Sequence, residues 1–362
     1  MKYITEYRDK EKVKILAEKI KLNSSKEITL MEVCGGHTMS IHKFGIPSLL
    51  PENIKLISGP GCPVCVTEQS YIDKVIEIAK NKDVIITTFG DLIRVPGTKS
   101  SLEKEKSLGA DIRIVYSAME AIKIATQNKN KKIIFLGIGF ETTAPATAAS
   151  IIEAYNERID NYYVFSAHKI MPPVMVALID EGVKINGYLC PGHVSTITGS
   201  AIYNDLAYKY KLAVVVSGFE PVDILQSIYM LVKQIENSNP KVEIQYSRAV
   251  KPEGNIKALK IMNEVFETRD DYWRGLGIIK QSGLAIKEKY SEHDAEKKFN
   301  IKIGSVTENC ACICGAILKG IKNPSDCKLF SKACTPENPV GACMVSHEGA
   351  CNAWYRFKNI TK

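Results

Sequence analysis

The 362-residue sequence has no apolar run long enough to cross a bilayer. Its opening residues, Met1-Lys2-Tyr3-Ile4-Thr5-Glu6-Tyr7-Arg8-Asp9-Lys10, carry no apolar signal core. No membrane association is therefore expected, and a cytoplasmic location is. Basic runs interleaved with aromatics are missing, which argues against nucleic acid as a partner. The formal net charge of +8, from 48 basic and 40 acidic residues, reads as lysines on solvated helix faces. Gly137-Ile138-Gly139-Phe140-Glu141-Thr142 lacks the third glycine of a dinucleotide fingerprint, and no Walker lysine follows it. Cysteine, in contrast, is plentiful. Eleven cysteines, an odd number, do not form a disulfide framework in a cytosolic protein, so metal or redox chemistry is the better expectation.

Residues 6–22 carry apolar positions at Val13, Ile15, Leu16 and Ile20, the spacing of an amphipathic helix. Short apolar runs then alternate with helical patterns. Strands are expected at 28–33, 54–58, 84–89 and 112–116, and again at 133–137, 162–166, 188–190 and 213–217. Continuous apolar strands separated by helices predict parallel sheets covered on both faces. The expected fold is α/β: two similar parallel-sheet domains plus a smaller cysteine-rich domain carrying an iron–sulfur cluster. The divisions are an N-terminal helix at 1–24, a first α/β domain at 25–126, a second at 127–240 after the polar break at 127–132, and a last domain at 241–362. In that last part a strand is expected at 242–246, with helices at 262–266 and 285–299. The unusual motifs all fall at the carboxyl ends of strands, where open parallel sheets bind ligands.

Seven cysteines crowd the final domain: Cys310, Cys312, Cys314, Cys327, Cys334, Cys343 and Cys351. The C-x2-C pairs of a zinc finger are absent from this run, and so are the ferredoxin spacings. The cysteines punctuate loops such as Asn323-Pro324-Ser325-Asp326-Cys327. A soft metal centre is the natural staple for such a segment, because four thiolates hold an iron–sulfur cluster. Zinc and inert thiols are the alternatives.

A second group is N-terminal. Cys34-Gly35-Gly36-His37-Thr38 follows the first strand, and Gly59-Pro60-Gly61-Cys62-Pro63-Val64-Cys65 follows the second. Glycine beside cysteine marks tight bends or close backbone approach. Cys34-x2-His37 with Cys62-x2-Cys65 has the spacing of a four-ligand zinc site. Cys62-x2-Cys65 at a helix start also resembles a thioredoxin-type dithiol, whose reactivity the helix N-terminus raises. A third reading splits the roles: Cys34 holds a substrate iron while Cys62 and Cys65 exchange electrons. A Cys–His hydrolase fits poorly, because His37 is only three residues from Cys34. Of the other strand-end residues, His168 and His193 read singly as structural histidines and jointly as parts of one cleft. Cys190 reads as a buried small side chain, Glu141 as a helix cap, and Asp91 as either a cap or a site residue.

Five strings in order resemble one family, the hydrogenase maturation factor HypD. They are Cys34-Gly35-Gly36-His37-Thr38, Gly59-Pro60-Gly61-Cys62-Pro63-Val64-Cys65, Gly139-Phe140-Glu141-Thr142-Thr143-Ala144-Pro145, Pro191-Gly192-His193-Val194-Ser195, and the run from Gly341 to Cys351. The resemblance covers nearly the whole chain. It implies a role in nickel–iron hydrogenase maturation, as a scaffold with redox activity rather than an independent turnover enzyme. Its implied partners are HypC, a small chaperone, and HypE, which delivers cyanide; together they assemble the Fe(CN)2CO centre. By the same resemblance, Cys34 is the ligand of a transient Fe(II) that takes cyanide and carbon monoxide. His37 orients or protonates, and Cys62 with Cys65 passes electrons between cluster and iron. The family's spacing, C-x14-C-x6-C-x16-C, places a [4Fe-4S] cluster on Cys312, Cys327, Cys334 and Cys351. Cys310 and Cys314 flank the first of these, and Cys343 lies outside the pattern, as a redox partner or a buried thiol. The alternative function is a free-standing iron–sulfur/dithiol oxidoreductase acting on a protein disulfide.

Overall fold

The computed structural model describes residues 5–301, 303 and 311–357. Its strands are β1 (Ile28–Glu32), β2 (Ile54–Ser58), β3 (Val84–Thr88), β4 (Ile112–Ile114), β5 (Lys132–Gly139), β6 (Tyr162–His168), β7 (Gly187–Pro191), β8 (Ala213–Ser217), β9 (Val242–Ile244), β10 (Phe266–Trp273) and β11 (Gly277–Ile286). One sheet has the order β2-β1-β7-β8-β9 and another the order β4-β3-β5-β6. Every pairing in both is parallel. β3, β6, β7 and β8 are buried at every residue, which is why their sequences run continuously apolar instead of alternating.

Two parallel sheets agree with the expected α/β class, but their membership does not follow a division at residue 127. β1 and β2 pair with β7–β9, and β3–β6 form a sheet inserted between them in sequence. The polar break at 127–132 is a turn inside the inserted sheet, between the helix Ala118–Gln127 and β5. A polar turn marks the end of a helix; it carries no information about which strand the next one joins. Among its described residues the cysteine-rich segment likewise has no separate core. Ile317, Leu318, Met344 and Val345 are buried in one cluster with Met31, Val66 and Ile72. Its helices Ala342–Val345 and Ala350–Phe357 pack against Pro63–Val66 and Gly35–Lys43. Cys310 lies outside the described residues.

The N-terminal helix, Lys10–Asn23, starts at Asp9, whose carboxylate accepts the amides of Glu11 and Lys12. It packs along the long helix Pro221–Glu236. The helix expected at 285–299 is corrected: Ile286 ends β11, a 3-10 turn follows, and only Ala295–Phe299 is α-helical. The antiparallel β10–β11 hairpin is hard to read because Glu267, Arg269, Asp270 and Asp271 crowd a half-exposed strand. Trp273 nevertheless anchors its end, fully buried, with its indole N–H donating to Ser282 Oγ at 2.8 Å. Among the described residues no helix is long and apolar enough to cross a membrane.

A buried ion pair holds the far edge of the first sheet. Asp223 is fully buried and accepts from both Arg248 guanidinium nitrogens at 2.8 and 2.6 Å and from Gln245 Nε2 at 2.8 Å. Asp223→Ala strands these donors. The expected loss is about 3 kcal/mol, read from urea unfolding.

Candidate functional site

In an open parallel sheet the ligand crevice lies where successive strands depart in opposite directions. In the first sheet that point is between β1 and β7. β1 runs into Cys34 and β7 into His193, and Cys34 Sγ lies 3.6 Å from His193 Nδ1. The thiol and imidazole are thus brought together by strand order, across 159 residues of sequence.

The loop bearing Cys34 is fixed from several sides. Its amide donates to Glu32 Oε2 at 3.0 Å, and the Thr38 hydroxyl donates to Glu32 Oε1. Gly61 lies against the Cys34 backbone so closely that a Cβ there would overlap it, and the Gly35 amide donates to Gly61 O at 3.1 Å. Gly35 itself abuts the backbone of Glu348, again without room for a side chain. The glycines therefore serve close approach: they stitch the Cys34 loop to the Cys62 loop and to the C-terminal segment.

The His37 ring does not reach the thiol, although its backbone amide lies within influence of the sulfur. Its Nε2–H donates to Gly218 O at 2.9 Å, its ring stacks on Phe219 at 4.7 Å, and its Nδ1 has no partner among the described residues. Burial, then the neighbouring His193, lowers its pKa to about 4. Burial brings His193 to about 4 as well. Both imidazoles are neutral at physiological pH. Burial, followed by the charges of Glu348 and Glu32, raises Cys34 well above the usual thiol range. The resting pair is a thiol facing a neutral imidazole.

Burial also raises Glu32 to about 8, against the hydrogen bonds from Thr38, Cys34 and Ser58. The folded state therefore holds a proton that the unfolded chain releases at ordinary carboxylate pH. Stability should fall as pH rises from the usual glutamate range to about 8, by an amount on the order of a few kcal/mol. Glu32→Gln is expected to flatten that slope in urea midpoints measured across this window.

Cys62 caps the short helix Pro63–Val66, its Sγ accepting the Cys65 amide at 3.3 Å. Cys65 points inward, its thiol 3.9 Å from Ala342 O and near enough to the Cys343 thiol for each to shift the other's ionisation. Cys343 is in turn a neighbour of Cys314, and Cys314 of Cys312, all three lining one cavity. A line of sulfurs thus runs from the N-terminal loops into a cavity lined by Cys312, Cys314, Cys327, Cys334, Cys343 and Cys351. All ten described cysteines are free thiols. Gly341 makes room beside Cys312, where a Cβ would lie 2.7 Å from the sulfur.

Among the described residues no three His, Cys, Asp or Glu side chains converge where a single metal ion would sit. This corrects the four-ligand zinc reading: His37 is turned to Gly218 and Cys65 to Cys343. It bears differently on the C-terminal cysteines. A four-iron cluster takes one thiolate on each iron, so its ligands surround a volume instead of meeting at a point. The cavity's lining of six cysteines suits such a group in donor type.

The second sheet reaches the same junction through Asp91, which follows β3. Asp91 Oδ2 accepts the Ser346 hydroxyl at 2.9 Å, and Glu348 lies two residues beyond, close enough to Cys34 to raise its pKa. Sequence reasoning missed Glu348; it kept His193 as part of a cleft and Cys314 as a flank of the first cluster ligand, but paired neither with its neighbour in the fold. His168 and Glu141 are not brought to the site. His168 contacts Thr147 and Ser166, each at 3.4 Å. Glu141 Oε1 accepts the Met171 amide at 2.9 Å, so it caps Met171–Asp180 rather than the helix it precedes. Cys190 is fully buried, as its position at a strand end suggests.

The profile HypD, described as hydrogenase formation hypA family, matches residues 11–358. A putative hydrogenase expression/formation protein of Methanocaldococcus jannaschii is 48% identical over 350 residues, covering 97% of this chain and 96% of that protein. The hydrogenase maturation factor HypD2 of Bradyrhizobium diazoefficiens is 46% identical over 368 residues, covering 99% and 97%. The hydrogenase maturation factor HypD of Cupriavidus necator is 44% identical over 374 residues, covering 99% of each chain. With matches of this extent over a chain whose glycine–cysteine loops meet at one junction, the protein belongs to the HypD family of hydrogenase maturation proteins.

Proposed function

We propose that this chain holds the iron on which the Fe(CN)2CO centre of a nickel–iron hydrogenase is assembled, working with a HypC-like chaperone and a HypE-like cyanide donor. The observation that carries the proposal is the Cys34–His193 contact at the switch point, 3.6 Å long and tied by Gly61 to the Cys62 loop. Cys34 takes ferrous cargo as a thiolate. Iron bonding to sulfur expels the thiol proton, and the neutral His193 Nδ1 is placed to accept it. His37, held by Gly218, positions Phe219, against which His193 also packs at 5.4 Å.

Cys312, Cys327, Cys334 and Cys351 would hold a [4Fe-4S] cluster. Such a cluster supplies single electrons when bound. The chain's own thiols provide a two-electron path beside it. The Cys343 thiolate attacks Cys65 of a Cys62–Cys65 disulfide, releasing Cys62 and forming a Cys343–Cys65 mixed disulfide. Cys314 then attacks Cys343 and releases Cys65. The result is a Cys62/Cys65 dithiol and a Cys314–Cys343 disulfide, with two electrons and two protons exchanged. The order Cys65, Cys343, Cys314, in which each thiol shifts the ionisation of the next, is the order of these two attacks.

The alternative of a free-standing protein-disulfide oxidoreductase needs a protein disulfide, bulkier than an iron ion, to reach the Cys62–Cys65 pair. Cys62 is 3% exposed and Cys65 0%, so a protein disulfide has no direct approach to either sulfur. The test is anaerobic co-purification with a HypC-like partner, with iron and sulfide analysis and infrared spectroscopy. Iron in excess of sulfide, with cyanide and carbon monoxide stretches, is expected. Zinc in place of iron, or no iron beyond the sulfide count, would refute the reading.

A further inference from the structure

A cavity of about 340 Å³ lies along the outer edge of β2, away from the line of thiols. All five residues of β2 line it, which both faces of a strand can do only where a cavity wraps an open edge. β2 is that edge. The facing wall belongs to the cysteine-rich segment, through Ile317, Pro324 and Trp354. The inner end is Glu32 and Thr38, already committed to each other and to the Cys34 loop. Lys55 and Lys322 are exposed among its lining residues, and neither ammonium has an acidic partner among the described residues. The volume falls in the range of small-ligand sites, roughly 300–1,000 Å³, and the mixture of apolar walls with a few polar groups is typical of them.

We propose that this cavity binds a small amphipathic organic anion of the aromatic or branched carboxylate class. Its apolar body lies between β2 and Trp354, and its charge is met by Lys55 and Lys322. The ligand would bridge the sheet that carries Cys34 and the segment that carries the C-terminal cysteines. It takes no part in the iron chemistry proposed above, so the two readings stand or fall separately.

The probe is 1-anilinonaphthalene-8-sulfonate, a flat apolar body with one anionic group, added to the full-length reduced protein under anaerobic conditions. Saturable binding at one site per chain is expected, with energy transfer from tryptophan that falls in Trp354→Phe. The other tryptophan, Trp273, is buried in the hairpin and remains as the internal reference. Benzoate should displace the probe. The double variant Lys55→Glu/Lys322→Glu should weaken binding at least tenfold, and Leu56→Trp, which narrows the cavity without changing charge, should abolish it. Circular dichroism melts establish that each variant is folded. Unsaturable binding, failure of benzoate to compete, or unchanged affinity in either folded variant would overturn the proposal.

Discussion

Cys34→Ala is expected to lose the cargo iron entirely while keeping the cluster and the fold. The side chain is 1% exposed, and removing one sulfur from the rim of a packed loop should cost only about 1 kcal/mol. The backbone contacts that shape the loop, from the Cys34 amide to Glu32 and from the Gly35 amide to Gly61, do not involve the sulfur. Iron analysis of the chaperone complex should therefore fall to the sulfide-matched level, with the visible absorption of the cluster unchanged. His193→Gln separates binding from proton transfer. Glutamine can hydrogen-bond the thiol but has no basic nitrogen to accept its proton, so iron uptake should slow and acquire a steeper dependence on rising pH. Full iron retention by Cys34→Ala would move the cargo site elsewhere in the molecule.

Much of this site was legible locally. A glycine directly beside a cysteine at the end of an apolar strand has few uses, and here Gly35 and Gly61 both mark backbones in direct contact. Strand positions and the parallel class were readable because fully buried strands are continuously apolar. Sheet membership was not. That β1 lies beside β7 rather than β3 depends on which faces bury most area in three dimensions, and the polar turn at 127–132 gives no hint of it. The same blindness hid which histidine meets Cys34. His37 is three residues from Cys34 and drew attention, yet a helix start aims it at Gly218, while the strand order delivers a histidine 159 residues away to the sulfur. Cys343 was left open as redox partner or inert thiol for a similar reason: nothing near it in sequence shows that Cys65 is its neighbour.

That neighbour relation gives the sharpest test of the electron path. Cys343→Ala should leave the Cys62–Cys65 pair oxidised when the cluster-loaded protein is treated with a one-electron donor. Cys343 lies between Cys65 and Cys314, near enough to shift the ionisation of each, so its loss opens the line in the middle. Thiol–disulfide exchange needs sulfur in contact with sulfur, and the expected fall in reduction rate is on the order of 100-fold or more. Differential alkylation followed by peptide mapping reads the oxidation state of each cysteine. The side chain is 1% exposed beside Met344, so alanine leaves a small cavity rather than an unpaired polar group. Cys327→Ala makes the complementary break. It should bleach the cluster absorption while leaving exchange between the Cys62/Cys65 and Cys314/Cys343 pairs intact when a small-molecule dithiol is supplied. If Cys343→Ala reduces Cys62–Cys65 at the normal rate, electrons reach that pair without passing through the buried sulfurs, and the line of thiols is packing rather than a path.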